Sequence, residues 1–282
     1  MNKSVFICPV CGGEMERNER VYRCGKGHCF DISAKGYVNL LPANAKHSAD
    51  PGDNKMMVNA RADFLNKGYY SHLAEAVEGA VLKYYGGGLL LDSGCGEGYY
   101  TERVCRAVLR GKNFPVCTFA GVDISKNACA KAARRLSKAD IPCETAAASV
   151  FDLPVEDGAV SLLMTMFAPL CREEFERVIR PGGALIMAIP GAGHLMSFKE
   201  KIYDEAYENV VGDYELSGFD MLEVTRVSRE IHLDNSEDIR SLFAMTPYYY
   251  KTGREGHARV EALENLTTMA EFEIIVYKRT ER

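Results

Sequence analysis

The chain has 282 residues, room for one large domain or two. Its 47% apolar and 26% charged content is ordinary for a soluble globular protein, and no apolar run is long enough for a membrane span. The net charge of −5 does not advertise nucleic-acid binding, although residues 1–50 hold a slight excess of base that permits an RNA-facing end. The N-terminus, Met-Asn-Lys-Ser-Val-Phe-Ile-Cys-Pro, has no secretory apolar core, so a cytoplasmic location is expected.

Residues 1–42 form the first expected unit. Four of the ten cysteines fall in the first 29 residues, with the spacing Cys8-x2-Cys11-x12-Cys24-x3-His28 and Cys29 directly after. Two close pairs on tight turns suit a tetrahedral zinc ion. Sulfur and nitrogen donors with no carboxylate describe a closed, structural site. Gly12, Gly13, Gly25 and Gly27 relax the two knuckles, and Arg20–Arg23 reads as a strand returning to the metal. Spacing alone admits either His28 or Cys29 as the fourth ligand. So small a unit buries little core, so the metal supplies its folding energy. The six remaining cysteines are scattered, as small buried side chains are.

Residues 43–70 read as a linker and helix. A polar stretch over 43–55 contains Asp50-Pro51-Gly52-Asp53, a turn sequence, and helical periodicity follows at Met57, Ala60, Phe64 and Leu65. From residue 71 to 282 the pattern is that of alternating helices and strands. After Leu73–Val81 and a stop at Gly86-Gly87-Gly88, strands are expected at 89–92, 116–122, 143–146, 159–165 and 184–189. Helices are expected at 99–109, 126–138 (capped by Ser125), 171–179 and 195–209, with Pro181-Gly182-Gly183 as a turn into the last of those strands. Strand-like segments at 219–233 and 271–278 close the chain. Repeated βαβ units imply a doubly wound, Rossmann-like parallel sheet.

The strand at 89–92 ends in Asp92 and runs into Gly94-x-Gly96-x-Gly98. This spacing is tighter than the dinucleotide fingerprint, and it points to S-adenosylmethionine (SAM) rather than a nicotinamide. SAM carries no phosphate, so the glycines serve to let the backbone pass close to the ligand. Asp92 is placed to hold the methionyl ammonium. Asp123, ending the next strand, is placed to accept the ribose hydroxyls. Phe167-Ala168-Pro169, after the strand at 159–165, is placed to wall the acceptor pocket.

Taken together, the zinc knuckle, Phe30-Asp31, Gly36-Tyr37-Val38-Asn39-Leu40-Leu41-Pro42, Asp50-Pro51-Gly52-Asp53, Ala60-Arg61, Phe64-Leu65, Gly68 with Tyr70, Gly94–Thr101, Pro190-Gly191 with His194-Leu195, and Met245-Thr246-Pro247 resemble the RlmA family. These enzymes are 23S rRNA guanine-N1 methyltransferases that act on guanine 745 or 748 in a hairpin. The resemblance covers nearly the whole chain. It implies zinc on Cys8, Cys11, Cys24 and His28, and SAM contacts by Tyr70, Gly96, Glu97 and His194. It also implies a homodimer whose zinc units help grip the RNA hairpin. The chain departs in having no Trp, and Tyr250 stands where some members carry an indole. Guanine N1 must lose a proton, and His194, then Asp152, are the candidate bases. Two other readings compete: a SAM enzyme for a small molecule, which the zinc unit disfavours, and a noncatalytic RNA-binding module, which the intact glycine loop and Asp123 disfavour.

Overall fold

The computed structural model describes residues 2–42, 51–111, 114, 116–212 and 214–281. Most of the polar linker (43–50) and part of the loop at 110–115 lie outside them.

The first unit is a four-stranded antiparallel sheet, β1 (Asn2–Ile7), β2 (Glu14–Arg17), β3 (Val21–Cys24) and β4 (Cys29–Asp31), in sequential order. Each knuckle closes on a backbone hydrogen bond: Gly12 N–H donates to Cys8 O at 2.8 Å, and Gly27 N–H to Cys24 O at 2.9 Å. Both glycines have positive φ, a conformation in which a β-carbon would be strained. Phe6, Met15 and Tyr22 are buried, yet not in a core of their own. They join an apolar cluster with Leu89, Leu91 and Leu163 of the large sheet. Ile7 N–H donates to Pro154 O at 2.8 Å, and the Ser4 hydroxyl donates to Glu144 at 2.8 Å. The short strand β5 (Val38–Asn39) then enters the large sheet itself, pairing in parallel with β8 (Cys143–Ala147). A unit too small to bury its own core thus borrows one.

The large sheet holds, besides β5 and β8, the strands β6 (Gly88–Ser93), β7 (Cys117–Asp123), β9 (Val160–Met166), β10 (Ile179–Pro190), β11 (Phe219–Leu233) and β12 (Leu266–Arg279). Their order is β11-β12-β10-β9-β6-β7-β8-β5. Pairing is parallel from β5 to β10, and β12 and β11 add an antiparallel edge. The doubly wound core is therefore as expected, within a mixed sheet. β9 is buried at all seven positions, as a strand covered on both faces must be. From central β6 the chain moves first to β7 on one side and later to β9 on the other. This leaves a crevice at their carboxyl ends.

α1 (Lys55–Asn66) starts at Asn54, whose side chain accepts from Met57 N–H, and packs against α7 (Ser236–Met245) above that crevice. α2 (Ser71–Tyr84) and α3 (Tyr99–Arg110) pack against each other, and α4 (Lys126–Lys138) is capped by Ser125, whose hydroxyl accepts from Ala128 N–H at 3.2 Å.

Three expectations about elements are corrected. Pro181-Gly182-Gly183 does not precede a strand but sits inside β10, where the pairing with β9 shifts between Ile179 and Ala184 and Gly182 has φ +73°. The glycines absorb a bulge there. The helix expected over 195–209 ends early, as α6 (Met196–Ile202). From within it the fully buried Lys199 donates to Tyr207 O (3.0 Å) and Asn209 Oδ1 (2.8 Å), so the chain beyond the helix is held by hydrogen bonds outside a helix. β12 begins at Leu266 rather than near 271, because β11 pairs with it along its whole length.

Candidate active site and metal centre

The ligand atoms of Cys8, Cys11, Cys24 and His28 all lie within 4.8 Å of one another. Cys8 Sγ and Cys24 Sγ are 3.5 and 3.3 Å from His28 Nδ1, and Cys11 Sγ is 3.8 Å from Cys24 Sγ. A tetrahedral zinc with bonds of about 2.3 Å to sulfur and about 2.0 Å to nitrogen holds its ligands ~3.5–3.8 Å apart, so the donor set fits the ion. Cys29 is exposed, and its thiol turns away to Gly27 O at 3.3 Å. Of the two candidates for the fourth position, geometry brings in only His28.

A cleft of about 900 Å³ opens at the carboxyl ends of β6, β7, β9 and β10. Its floor is the glycine loop. Gly94, at φ +84°, faces Ala168, whose β-carbon is only 2.4 Å from where a Gly94 β-carbon would sit. Gly96 N–H donates to Asp123 Oδ2 at 2.9 Å. Gly98, at φ +85°, leads into α3, and a β-carbon there would meet the Ala132 backbone at 3.0 Å. Gly98 is therefore spent on packing α3 against α4 and does not line the cleft.

The carboxylates of the cleft have distinct surroundings. Asp123 is fixed by two backbone donors, Gly96 N–H and Ser125 N–H (2.8 Å), while burial pushes its carboxyl up. Asp92 is 1% exposed, and Oδ2 accepts the Thr101 hydroxyl at 2.5 Å while Oδ1 has no protein partner. Burial raises its carboxyl to about 7. Glu97 is also buried, which raises its pKa, but Arg135 meets it at 2.6 Å and partly offsets the effect. The same guanidinium donates to Glu97 O, Glu102 and Asn66, and so pins the loop to α4 and α1.

Tyr70 and His194 form the far wall. The Tyr70 ring packs edge-on to Phe272 at 4.8 Å, and its hydroxyl lies 3.4 Å from His194 Nε2. His194 follows β10 on a turn, and its Nδ1 accepts from Glu271 N–H at 3.2 Å. That bond places the ring proton on Nε2. Burial pushes the imidazole down to about 3. His194 is thus held neutral by burial, with Nε2 turned toward the Tyr70 hydroxyl on the cleft wall. Asp152, the second candidate, is exposed on a turn bridged to Ser149 and contributes nothing to the cleft wall.

Phe167, Ala168 and Pro169 do line the cleft, and Phe167 is held at φ +58° with 45% of its surface open. Of Tyr248-Tyr249-Tyr250, Tyr249 packs into Phe243 and His257, whereas Tyr250 stands at the mouth, 63% exposed, its hydroxyl accepting from Asn54 Nδ2 at 2.9 Å. Sequence reasoning missed the parts played by Arg61, Tyr100 and Arg135. Arg61 reaches into the cleft from α1, paired with Asp53 and donating to Met245 O at 3.3 Å. Its place one turn after Met57 and one before Leu65, both cleft-lining, is the signal that would have found it.

A doubly wound sheet with this glycine loop, an aspartate at the carboxyl end of each of the first two central strands and a ligand-sized cleft beyond them defines a SAM-dependent methyltransferase, here carrying a zinc ribbon. Two family models match: "RlmA, N-terminal", a zinc ribbon, over residues 6–49, and "Methyltransferase domain" over residues 90–183. A "Putative 23S rRNA (guanine-N(1)-)-methyltransferase" of Micromonospora griseorubida is 32% identical over 93% of this chain and 92% of its own length. A 23S rRNA (guanine(748)-N(1))-methyltransferase of Streptomyces fradiae is 36% identical over 67% of this chain; the match spans 64% of that relative's length. The chain belongs to the family of 23S rRNA (guanine-N1)-methyltransferases. Among solved structures, the YcgJ protein of Bacillus subtilis has the same fold, with a TM-score of 0.51 at 12% identity, covering 76% of this chain and all of that one.

Proposed function

We propose that this protein transfers a methyl group from SAM to N1 of a guanine, of the 745 or 748 type, in a hairpin of 23S rRNA. The observation that carries the reading is the union, in one chain, of a closed Cys/Cys/Cys/His cluster and a cleft floored by the glycine loop, matched along 93% of its length to one relative. SAM supplies an electrophilic methyl on a sulfonium, so the protein's main task is alignment.

Gly94 and Gly96 let the backbone approach the donor, Asp123 takes the ribose hydroxyls and the unpartnered Asp92 Oδ1 takes the ammonium. Glu97, Tyr70 and His194 shape the remaining wall, with His194 Nε2–H as a hydrogen-bond donor. Gly98 supports this wall from behind. The acceptor guanine leaves its stack to enter, and Phe167 and Tyr250 offer it aromatic faces at the mouth. The N1 proton passes to solvent there, since neither His194 nor Asp152 is set to take it.

Cys8, Cys11, Cys24 and His28 hold zinc, whose role is structural. The ribbons of a homodimer grip the hairpin, and the protein works in the cytoplasm. Among the described residues no helix is long and apolar enough to cross a membrane.

Nucleoside mass spectrometry of 23S rRNA from a strain lacking this protein is expected to show the loss of one 1-methylguanosine. Mapping the missing methyl assigns the target guanine. Unchanged 1-methylguanosine would overturn the proposal.

A further inference from the structure

We infer that Arg61 and Tyr100 clamp the carboxylate of the cofactor's amino-acid end. The inference rests on the reading that the cleft holds SAM, and it assigns the one anionic group of that ligand, for which the residues discussed so far offer no partner.

The charge distribution leads there. Among the described residues lining the cleft, Arg61 is the one Lys or Arg, against the four carboxylates of Asp53, Asp92, Glu97 and Asp123. His194 is neutral and adds no charge. SAM carries a carboxylate of its own, and Arg61 is the one cationic side chain among those lining residues to meet it. The guanidinium is also presented for such a task. It projects from α1, anchored by Asp53 on one side and the Met245 carbonyl on the other. Those two contacts leave N–H donors of the planar fork free for a carboxylate.

A second, independent observation points to the same spot. Tyr100 lines the cleft, and its buried hydroxyl has no hydrogen-bond partner in the protein. A buried phenol leaves its donor unused only at a cost, unless a ligand accepts from it. Arg61 and Tyr100 line the same cleft. A cation and an orphan hydroxyl together form an anion site. Asp92 Oδ1, equally orphaned, is the anionic counterpart that receives the ammonium.

The test is titration calorimetry with two ligands, S-adenosylhomocysteine and 5′-methylthioadenosine, the second lacking the whole amino-acid end. For Arg61→Met the clamp predicts ~10–100-fold weaker binding of S-adenosylhomocysteine, the size of a charge-assisted contact, with 5′-methylthioadenosine affinity kept within about threefold. Tyr100→Phe removes one hydroxyl from a packed ring and is expected to lower S-adenosylhomocysteine affinity by ~3–10-fold, again sparing the shorter ligand. It keeps the test open should Arg61→Met fold poorly. Equal losses for both ligands would make Arg61 a brace between α1 and α7 and overturn the clamp, as would no loss for either. Wild-type protein that binds neither ligand would overturn the SAM reading itself, a result distinct from either of these.

Discussion

The zinc ribbon and the cleft spend their polar groups in opposite ways. In the ribbon four donors converge on one another within 4.8 Å, and the geometry leaves no open position. In the cleft, buried groups stand with unused capacity, Asp92 Oδ1 and the Tyr100 hydroxyl foremost. Nearly all buried polar groups in folded proteins are satisfied, so two unsatisfied ones from residues of a single cleft point to a ligand that completes them. The contrast separates two kinds of site: one holds the chain together, and the other holds something the chain acts on.

The largest expected effect tests whether these regions are independent. Cys8→Ala removes a metal ligand, and structural zinc in small units contributes on the order of 10 kcal/mol to their folding. Elemental analysis is expected to show zinc lost, hydrogen exchange to show β1–β4 opened, and RNA affinity to fall. Affinity for S-adenosylhomocysteine is expected to stay within about threefold, because distant sites combine additively. A parallel loss of cofactor binding would show that the shared core of Phe6, Tyr22 and Leu91 couples the two regions, and the contrast would break.

Next in size is Arg135→Ala. It strands the Glu97 carboxylate, which is 2% exposed, without its cation. Breaking a buried pair in this way costs about 3–5 kcal/mol, read in urea unfolding. Adding Glu97→Gln is expected to recover much of the loss. If it does not, Arg135 acts through Glu102 and Asn66 instead.

Gly94→Ala and Gly98→Ala sharpen the contrast inside one loop. Both residues have φ near +85°, so each substitution strains the backbone by about 1–3 kcal/mol. Their surroundings differ. A β-carbon at Gly94 collides with Ala168 in the cleft wall, whereas one at Gly98 presses on Ala132 of α4. Gly94→Ala is therefore expected to weaken S-adenosylhomocysteine binding more than it lowers the melting temperature, and Gly98→Ala the reverse.

What was legible in the sequence follows the same division. Ligand spacing, the glycine triplet and the aspartates at the ends of β6 and β7 are local patterns; Gly94, Gly96, Asp92 and Asp123 line the cleft, whereas Gly98 packs against α4. The fourth zinc ligand was not decided by spacing, because His28 and Cys29 are adjacent and only the direction of the knuckle separates them. Pro181-Gly182-Gly183 reads as a turn locally, but pairing with β9 and β12 draws it into a bulged strand. His194 read as a base because its position was right. Its protonation state depends on a hydrogen bond from Glu271, 77 residues away, and on burial by Phe272, neither of which is visible locally. Arg61 was hidden for a similar reason, since the ceiling of the cleft is assembled from α1 and α7, nearly 200 residues apart.

The smallest expected effect concerns pH, and it reads the unspent groups directly. Asp92 is raised from 3.8 to about 7, so between those values the folded protein holds a proton that the unfolded chain has released, and stability falls as pH rises. His194 is lowered from 6.5 to about 3, so in that window the unfolded chain holds the extra proton, and stability rises with pH. The two windows overlap from about 4 to about 6.5, where their slopes oppose each other. Each slope has a ceiling near 1.4 kcal/mol per pH unit. Asp92→Asn is expected to unmask the rising slope and His194→Gln the falling one, measured as differences from wild type in urea melts at pH 5 and 6. Saturating S-adenosylhomocysteine is expected to act on the wild type as Asp92→Asn does, because an ammonium on Oδ1 stabilises the carboxylate and releases its proton. Calorimetry at pH 6 in buffers of different ionisation enthalpy counts that proton directly. Binding without proton release would place the ammonium elsewhere and leave Asp92 a buried carboxyl that serves the fold.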